Sequence, residues 1–439
     1  MHFKSFIIRI IIPFISIISI ALNTANAEDL LQVYSLAVQH DTGLSVALKK
    51  KIMGMEAVPQ GLAPLLPSST LTLQHSGVNM HKPVHDSFDK NGYTLSLQVP
   101  VFHWENTKGY EKSQKEEQKA ILAYATAGQE LVMRSVKLYY DVLSAVDGQQ
   151  LAIAERESMG KRLESVKAGL EVGTAVLNDL QDAQAAFDLA QSGVIAAENQ
   201  LQSRMEALKE VIGQPAGSLN PLKEEIPLIK PDPDDIESWV TKAQTENLSL
   251  QLARLDTEIS AIAAQAAMAG HLPAVDLMAA HNYSDNGALP QFDGGLMNTD
   301  SFTLQMVVPL YSGHGATSKV RQAAATRNMT QEAEDAIRRQ VVRQTRDAFR
   351  GVVTAIAQIK AARQVLISTQ GSLETTDAGY ASGIRTMTDV LAAQREVFRA
   401  KRDFSQSRYT YILQSLELKQ AAGLLSQRDL EAVNAWNQH

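Results

Sequence analysis

The hydrophobic positions of this chain change period several times, and they do so twice in the same order. Tyr93, Leu95, Leu97 and Val99 fall on one face, with Thr94, Ser96 and Gln98 on the other. Phe302, Leu304, Met306 and Val308 repeat this opposite Thr303, Gln305 and Val307. A period of two predicts two-faced strands. Elsewhere the steps become four and three, through Val132, Val136, Tyr139, Leu143, Val146, Gln150 and Ile153. Val342, Thr345, Phe349, Val352, Ile356 and Ile359 step the same way. That spacing predicts long helices supercoiled left-handedly on a neighbour.

Residues 28–214 and 235–424 read as two copies of one pattern. Ala37 pairs with Ala243, Leu66-Pro67 with Leu272-Pro273, Asp179 with Asp389 and Gly213 with Gly423, so the offset runs from 206 to 210. Each copy predicts a helix (29–64 and 235–270) and two strands (68–76 with 93–102, and 274–283 with 302–311). A very long helix follows (105–167 and 313–377), then a return helix (175–212 and 385–422) after a Gly-containing turn. A helix of about 63 residues spans roughly 95 Å, so the body is elongated. The polar segments Gly77–Asn91 and Asp285–Asp300 are expected as loops. Five prolines, from Pro215 to Pro233, mark 215–234 as a linker, and 425–439 is a tail.

The N-terminus changes the picture. Lys4 and Arg9 precede an apolar run from Ile10 to about Leu22, then Ala25-Asn-Ala27. This is the layout of a secretory signal peptide over 1–27, with Glu28 first in the mature chain. No other run approaches the ~20 apolar residues of a spanning helix. A membrane role would therefore fall to a β-barrel, which four strands cannot close alone. Tyr93, Phe102, Trp104, Tyr283, Phe302 and Tyr311 cluster near strand ends, as interfacial girdles do and core aromatics also can.

Chemistry is sparse. There is no cysteine, hence no disulfide and no thiolate metal site. The histidines lack paired ligand spacing, and GxSxG and Walker A are absent. Gly313-His-Gly-Ala-Thr-Ser318 lacks the lysine of a phosphate loop. A net charge of −7 disfavours a nucleic-acid partner. The chain is expected to be no enzyme and to need no cofactor. The fold class expected is mainly α with a small β part, internally duplicated. A periplasmic coiled-coil adaptor is the alternative from another class.

The residues resemble the TolC family of outer-membrane channel-tunnels over nearly the whole mature chain. The likeness is most specific at Glu28-Asp-Leu-Leu-Gln-Val-Tyr34, Gly270-His-Leu-Pro-Ala-Val-Asp-Leu277, Val308-Pro-Leu-Tyr-Ser-Gly313 and Ala422-Gly-Leu-Leu-Ser-Gln-Arg-Asp-Leu430. Above all it lies in Ala378-Gly-Tyr-Ala-Ser-Gly-Ile-Arg-Thr-Met-Thr-Asp-Val-Leu391. The resemblance implies a homotrimer in outer-membrane lipid, each subunit giving four strands to a twelve-stranded barrel. It implies an α-barrel tunnel across the periplasm, with linker and tail in an equatorial belt. It also implies export of drugs or proteins with a periplasmic adaptor and an inner-membrane pump of ABC or RND type.

The same resemblance implies a closed periplasmic end held by polar links. Carried over, these fall on Asn178 and Asp179 in the first copy and Tyr380 and Arg385 in the second. Arg385 would bridge to Asn178 and Asp179, and Tyr380 would bond Asp179. A family Gln-to-Glu link becomes Arg162 and Asp377. Of two acidic ring positions at the constriction, Asp389 fills the first and Ala392 departs at the second. Asp182, at the equivalent point of the other copy, is expected to restore part of the ring.

Overall fold

The computed structural model describes residues 27–80, 86–285 and 296–438. The expected leader, 1–27, lies outside the described residues except for Ala27. The elements are α1 (Leu30–His40), α2 (Thr42–Met55), α3 (Ala57–Leu62), β1 (Ser68–Met80), β2 (Asp86–Phe102), α4 (Trp104–Glu171) and α5 (Leu177–Ile212). The second copy gives α6 (Ile236–Glu246), α7 (Leu248–Ala267), β3 (Ala274–Asp285), β4 (Leu296–Val307), α8 (Gly315–Ala381) and α9 (Met387–Ala421), and α10 (Gln427–Asn434) lies in the tail.

The opening helix of each copy, expected as one rod, is broken. Asp41 and Asn247 sit at extended backbone angles, and each side chain accepts the N–H three residues on, from Leu44 at 2.6 Å and Leu250 at 3.1 Å. Short polar side chains offer the backbone this alternative to a continuous helix.

The strands form one antiparallel sheet ordered β1-β2-β3-β4. Its register puts Leu71, Leu95 and His281 in one row, Leu97, Ala279 and Phe302 in the next, and Val99, Leu277 and Leu304 below. Thr72, Thr94, Asn282 and Thr299 share a row of the opposite face. The apolar face is uncovered: Phe302 is 84% and Leu304 70% exposed. The strands run further than expected, through much of the segments read as loops. A strand crosses a bilayer in about 9–11 residues, whereas these have 12 to 17. Backbone pairing continues into polar ends that carry no alternation, helped by the His75–Asn91 side-chain contact at 2.7 Å. β4 stops at Val307, short of the expected 311, near Pro309, which has no N–H to donate.

Two helical hairpins, α4/α5 and α8/α9, hang from the sheet. Their middle is the main core, where Leu131, Tyr139, Tyr140, Leu208 and Ile212 meet Leu30 and Val33 of α1 and Tyr411, Ile412 and Leu416 of α9. Linker and tail lie against this region. Leu222, Leu430 and Val433 are buried, Trp436 stacks on Tyr411, and the Tyr139 hydroxyl donates to Asn220 O at 2.9 Å.

The α8 seam is buried from Thr345 through Phe349, Val352, Ile356 and Ile359, whereas Val342 is half-buried and Val341 lies inside. The α4 seam departs from expectation, with Gln150 exposed and Ile153 only half-buried. The buried line instead passes Ala145, Ala152, Met159, Leu163 and Val166. Below Asp147, α4 turns a different face inward, and Ala183 and Ala190 of α5 join its buried cluster. No described helix is long and apolar enough to cross a membrane.

Candidate functional site: the hairpin tips

Both hairpins turn by the same device. Thr174 N donates to Gly169 O at 2.8 Å and Ile384 N to Gly379 O at 2.8 Å, with Gly173 and Gly383 at φ 80° and 75°. These 6→1 bonds close helix ends whose next residue is left-handed, a conformation glycine adopts without a Cβ penalty. The two tips therefore present matching loops, beneath which Met159, Leu163, Val166, Ala183, Met387 and Leu391 form a small separate core.

Polar groups join the hairpins around that core. Arg162 of α4 donates to Asp377 of α8 at 2.6 Å. The Tyr380 hydroxyl faces Asp179, and burial together with that carboxylate's charge raises it above the usual tyrosine value. Thr388 of α9 donates to Asp182 at 2.7 Å. All three run from one hairpin to the other, so hydrogen bonds rather than packing alone set the angle between tips. Arg162 and Asp377 keep 22% and 39% of their side-chain surface in water, so the pair contributes only about 1 kcal/mol.

The remaining sequence-predicted residues lie differently. Arg385 folds over its own turn: a Cβ added at Gly379 would stand 2.7 Å from Arg385 Cγ. Asn178 and Arg385 are both exposed, and the expected bridge from Arg385 to Asn178 and Asp179 is not made inside the protomer. Asp389 caps α9. Its carboxylate accepts the Thr386 N–H at 3.0 Å and hydroxyl at 2.9 Å, while Asp389 N donates to Thr386 Oγ1 at 3.2 Å. Those bonds, with the Arg385 charge, hold the carboxyl below its usual range. Thr-x-x-Asp at a helix start signals such a box, and sequence reasoning here passed over it.

Sequence reasoning also missed a ladder between α4 and α9 above the tips. Gln394 donates to Ser158, Arg402 to Glu155 at 3.3 Å, and Ser405 and Tyr409 to Asp147 at 2.5 and 2.8 Å. Burial and the Asp147 charge push the Tyr409 hydroxyl far up. No sequence motif marks these residues, since the pairing of side chains 258 and 262 positions apart depends on how the two hairpins are laid together.

A profile of the "Outer membrane efflux protein" family matches residues 33–214 and 239–424. The "Outer membrane protein TolC" of Vibrio cholerae is 31% identical over 424 residues, 95% of this chain and 97% of that one. The "Proteases secretion protein PrtF" of Dickeya chrysanthemi is 26% identical, covering 96% and 94%. The crystal structure of the outer membrane protein VceC from Vibrio cholerae superposes with a TM-score of 0.77 at 18% identity, over 90% of this chain and 96% of that one, a likeness of fold. Duplicated hairpins, a two-faced sheet and these matches over nearly its whole length lead to one conclusion: the chain belongs to the outer membrane efflux protein family and is an outer-membrane channel protein of a Gram-negative bacterium.

Proposed function

We propose that three copies close a twelve-stranded barrel in the outer membrane, continued by a helical tunnel into the periplasm, and that the hairpin tips gate it. The observation that carries this reading is the sheet. Its apolar face is uncovered, β1 and β4 are open edges, and four strands cannot close alone. Four strands from each of three copies make twelve. Helix α4, with 68 residues, reaches roughly 100 Å below it. The leader over 1–27 is cleaved on export. Residues 28–214 and 235–424 are two structural repeats, and the 215–234 linker and 425–439 tail form a belt around the tunnel.

The tip links hold the duct shut. Arg162–Asp377, Tyr380–Asp179 and Thr388–Asp182 join the hairpins of one chain, and Arg385 reaches Asn178 and Asp179 of the neighbouring copy. Three-fold repetition of Asp389, with Asp182 nearby, makes an acidic ring that favours cations. A periplasmic adaptor and an inner-membrane pump of ABC or RND type supply the cargo. The name of PrtF, a proteases secretion protein, supports proteins as a cargo class, and the efflux family to which the chain belongs supports small molecules as the other. Family membership sets the adaptor alternative aside.

Two measurements test this. The detergent-extracted protein should run as a trimer on a gel and fall to monomer on heating; a monomer before heating would refute the assembly. In single-channel recordings, Arg162→Ala with Tyr380→Phe should raise conductance severalfold, and unchanged conductance would remove the gate from the tips.

A further inference from the structure

Both hairpins of the sheet place a histidine at the same point of the uncovered apolar face. His75 Nδ1 lies 2.7 Å from Asn91 Oδ1, and His281 Nδ1 lies 2.7 Å from Asp300 Oδ1. The partners stand directly opposite each other across β1–β2 and β3–β4. The shift of 206 that carries Leu66-Pro67 onto Leu272-Pro273 also carries His75 onto His281. The shift of 209 that carries Tyr93 onto Phe302 also carries Asn91 onto Asp300. Two separate offsets thus lay one pair on the other, so the pair belongs to the repeat. In a barrel closed by equivalent hairpins, equivalent residues lie at one height.

That height is where the apolar face ends. Leu71 and Leu73 lead up to His75, and Leu277 and Ala279 to His281. On β2 the face is Tyr93 and Leu95 on the helix side of Asn91, and Asp89 beyond it. On β4 it is Phe302 and Leu304 on the helix side of Asp300, and Asn298 beyond. All four strands therefore turn from apolar to polar at one step. A charged group facing lipid costs most at the bilayer midplane and little at the interface. The step accordingly marks the headgroup layer of the leaflet away from the helices, the outer one. Tyr93 and Tyr283 stack beside it with centroids 5.3 Å apart, as girdle aromatics do.

The chemistry of the pair selects its ligand. Asn91 Oδ1 and an ionised Asp300 only accept, so Nδ1 of each ring donates. Nε2 is then an acceptor in the neutral ring and a donor once the ring is protonated. In His281 it stands 3.4 Å from the Tyr93 hydroxyl. His281 and Asp300 keep 35% and 73% of their side-chain surface exposed. His281 faces Leu95 and Tyr93 of β2, Asp300 of β4 and Tyr283 of its own strand. His75 faces Asn91, and the shift that sets Leu95 beside His281 sets Leu304 of the next copy beside His75. The carboxylates of Asp89 and Asp285 stand further out on the same face. Against those carboxylates an anion is held only by the protonated rings, through a charge-assisted Nε2–H. We propose that His75 and His281 form a collar around the barrel that binds the phosphates of outer-leaflet lipid headgroups. The inference rests on the trimeric barrel read above and adds a ligand to its outer rim.

The test uses the full-length protein in dodecyl maltoside, a phosphate-free detergent. Added lipid A, a phosphorylated glycolipid, should raise the temperature at which the trimer falls to monomer by several degrees at about pH 5.5, and by less than half as much at about pH 8. The same lipid stripped of its phosphates should give no rise, and neither should inorganic phosphate at equal concentration. His75→Gln/His281→Gln, neutral at both pH values, should melt as the parent does in detergent alone and lose the rise. His75→Arg/His281→Arg, charged at both, should keep the rise at both. A trimer that gains nothing from lipid A, or gains as much in the Gln variant, overturns the collar. An equal gain from the stripped lipid or from inorganic phosphate overturns it too. A protein that is monomeric before heating overturns the trimeric reading itself.

Discussion

The first hairpin tip and the second share a backbone but divide the chemistry between them. In the second, Asp389 is bound to its own turn through Thr386. In the first, the residue at the place of Thr386 is Val176, which has no hydroxyl, and Asp179 reaches the Val176 amide only at 3.4 Å. Asp179 and Asp182 are then free to accept from Tyr380 and Thr388 of the other hairpin. Close to the turns the first tip accepts and the second donates, whereas further along the helices the direction reverses, with Arg162 donating to Asp377. The same division appears higher up. Gly54 allows α2 to approach Ala120 so closely that an added Cβ would lie 2.2 Å from the Ala120 Cβ, whereas at the equivalent place Ser260 and Thr330 hydrogen-bond at 2.6 Å. Duplication preserved the geometry, and each copy then filled it differently.

The largest effect that would break this comparison is expected at the other end of the return helices. Gly213 and Gly423 both have positive φ, 75° and 74°. A Cβ at Gly423 would meet the Glu246 carbonyl oxygen at 2.2 Å, whereas one at Gly213 would meet His40 Cβ at 2.8 Å, a smaller overlap. Gly423→Ala should therefore cost about 3 kcal/mol or more and Gly213→Ala about 1–2 kcal/mol. Thermal melting of the two variants decides it, and equal losses would mean that the two copies dock these ends alike.

A smaller effect sharpens the donor–acceptor division. Thr386→Val should cost about 1 kcal/mol of cap stability. Val176→Thr should stabilise the first tip by a comparable amount while drawing Asp179 into its own cap and away from Tyr380. Melting temperature and channel conductance should therefore both rise in Val176→Thr; a rise in stability with no change in conductance would show that Asp179 serves both partners at once.

The smallest effect is in pH. The Asp389 carboxyl is held low by the Thr386 amide and hydroxyl, so its contribution is complete above about pH 4 and is lost as pH falls through the lower folded value. The Tyr380 hydroxyl is held high by burial and Asp179, so its contribution is complete below about pH 10 and is lost as pH rises beyond. Amide exchange in the first turn of α9 should quicken on the acid side, and conductance should rise on the alkaline side. Exchange independent of pH at α9 would mean that its cap does not depend on Asp389.

Much of the architecture was legible in the chain alone, because periodicity is a local property. Alternation at Tyr93–Val99 and Phe302–Val308 marked the strands, and the Gly173 and Gly383 turns marked where long helices reverse. Arg162 with Asp377, and Tyr380 with Asp179, were readable through resemblance, and the geometry brings both pairs together. The strand ends were not readable, since a backbone ladder continues through residues with no two-faced pattern. Nor was the face that α4 buries below Asp147, which depends on where α5 lies. Asp147, Thr388 and Gln394 carried no signal either, because each finds its partner on the other hairpin. By itself the sequence determined the repeats, the element types and the two-faced sheet, through spacing and turn chemistry acting within a few residues. Only the tertiary structure decided which carboxylates cross to the other hairpin and which donors they meet there. A charged group pairs with whatever donor the packing of distant helices sets within about 3 Å, and that proximity is written in no local pattern.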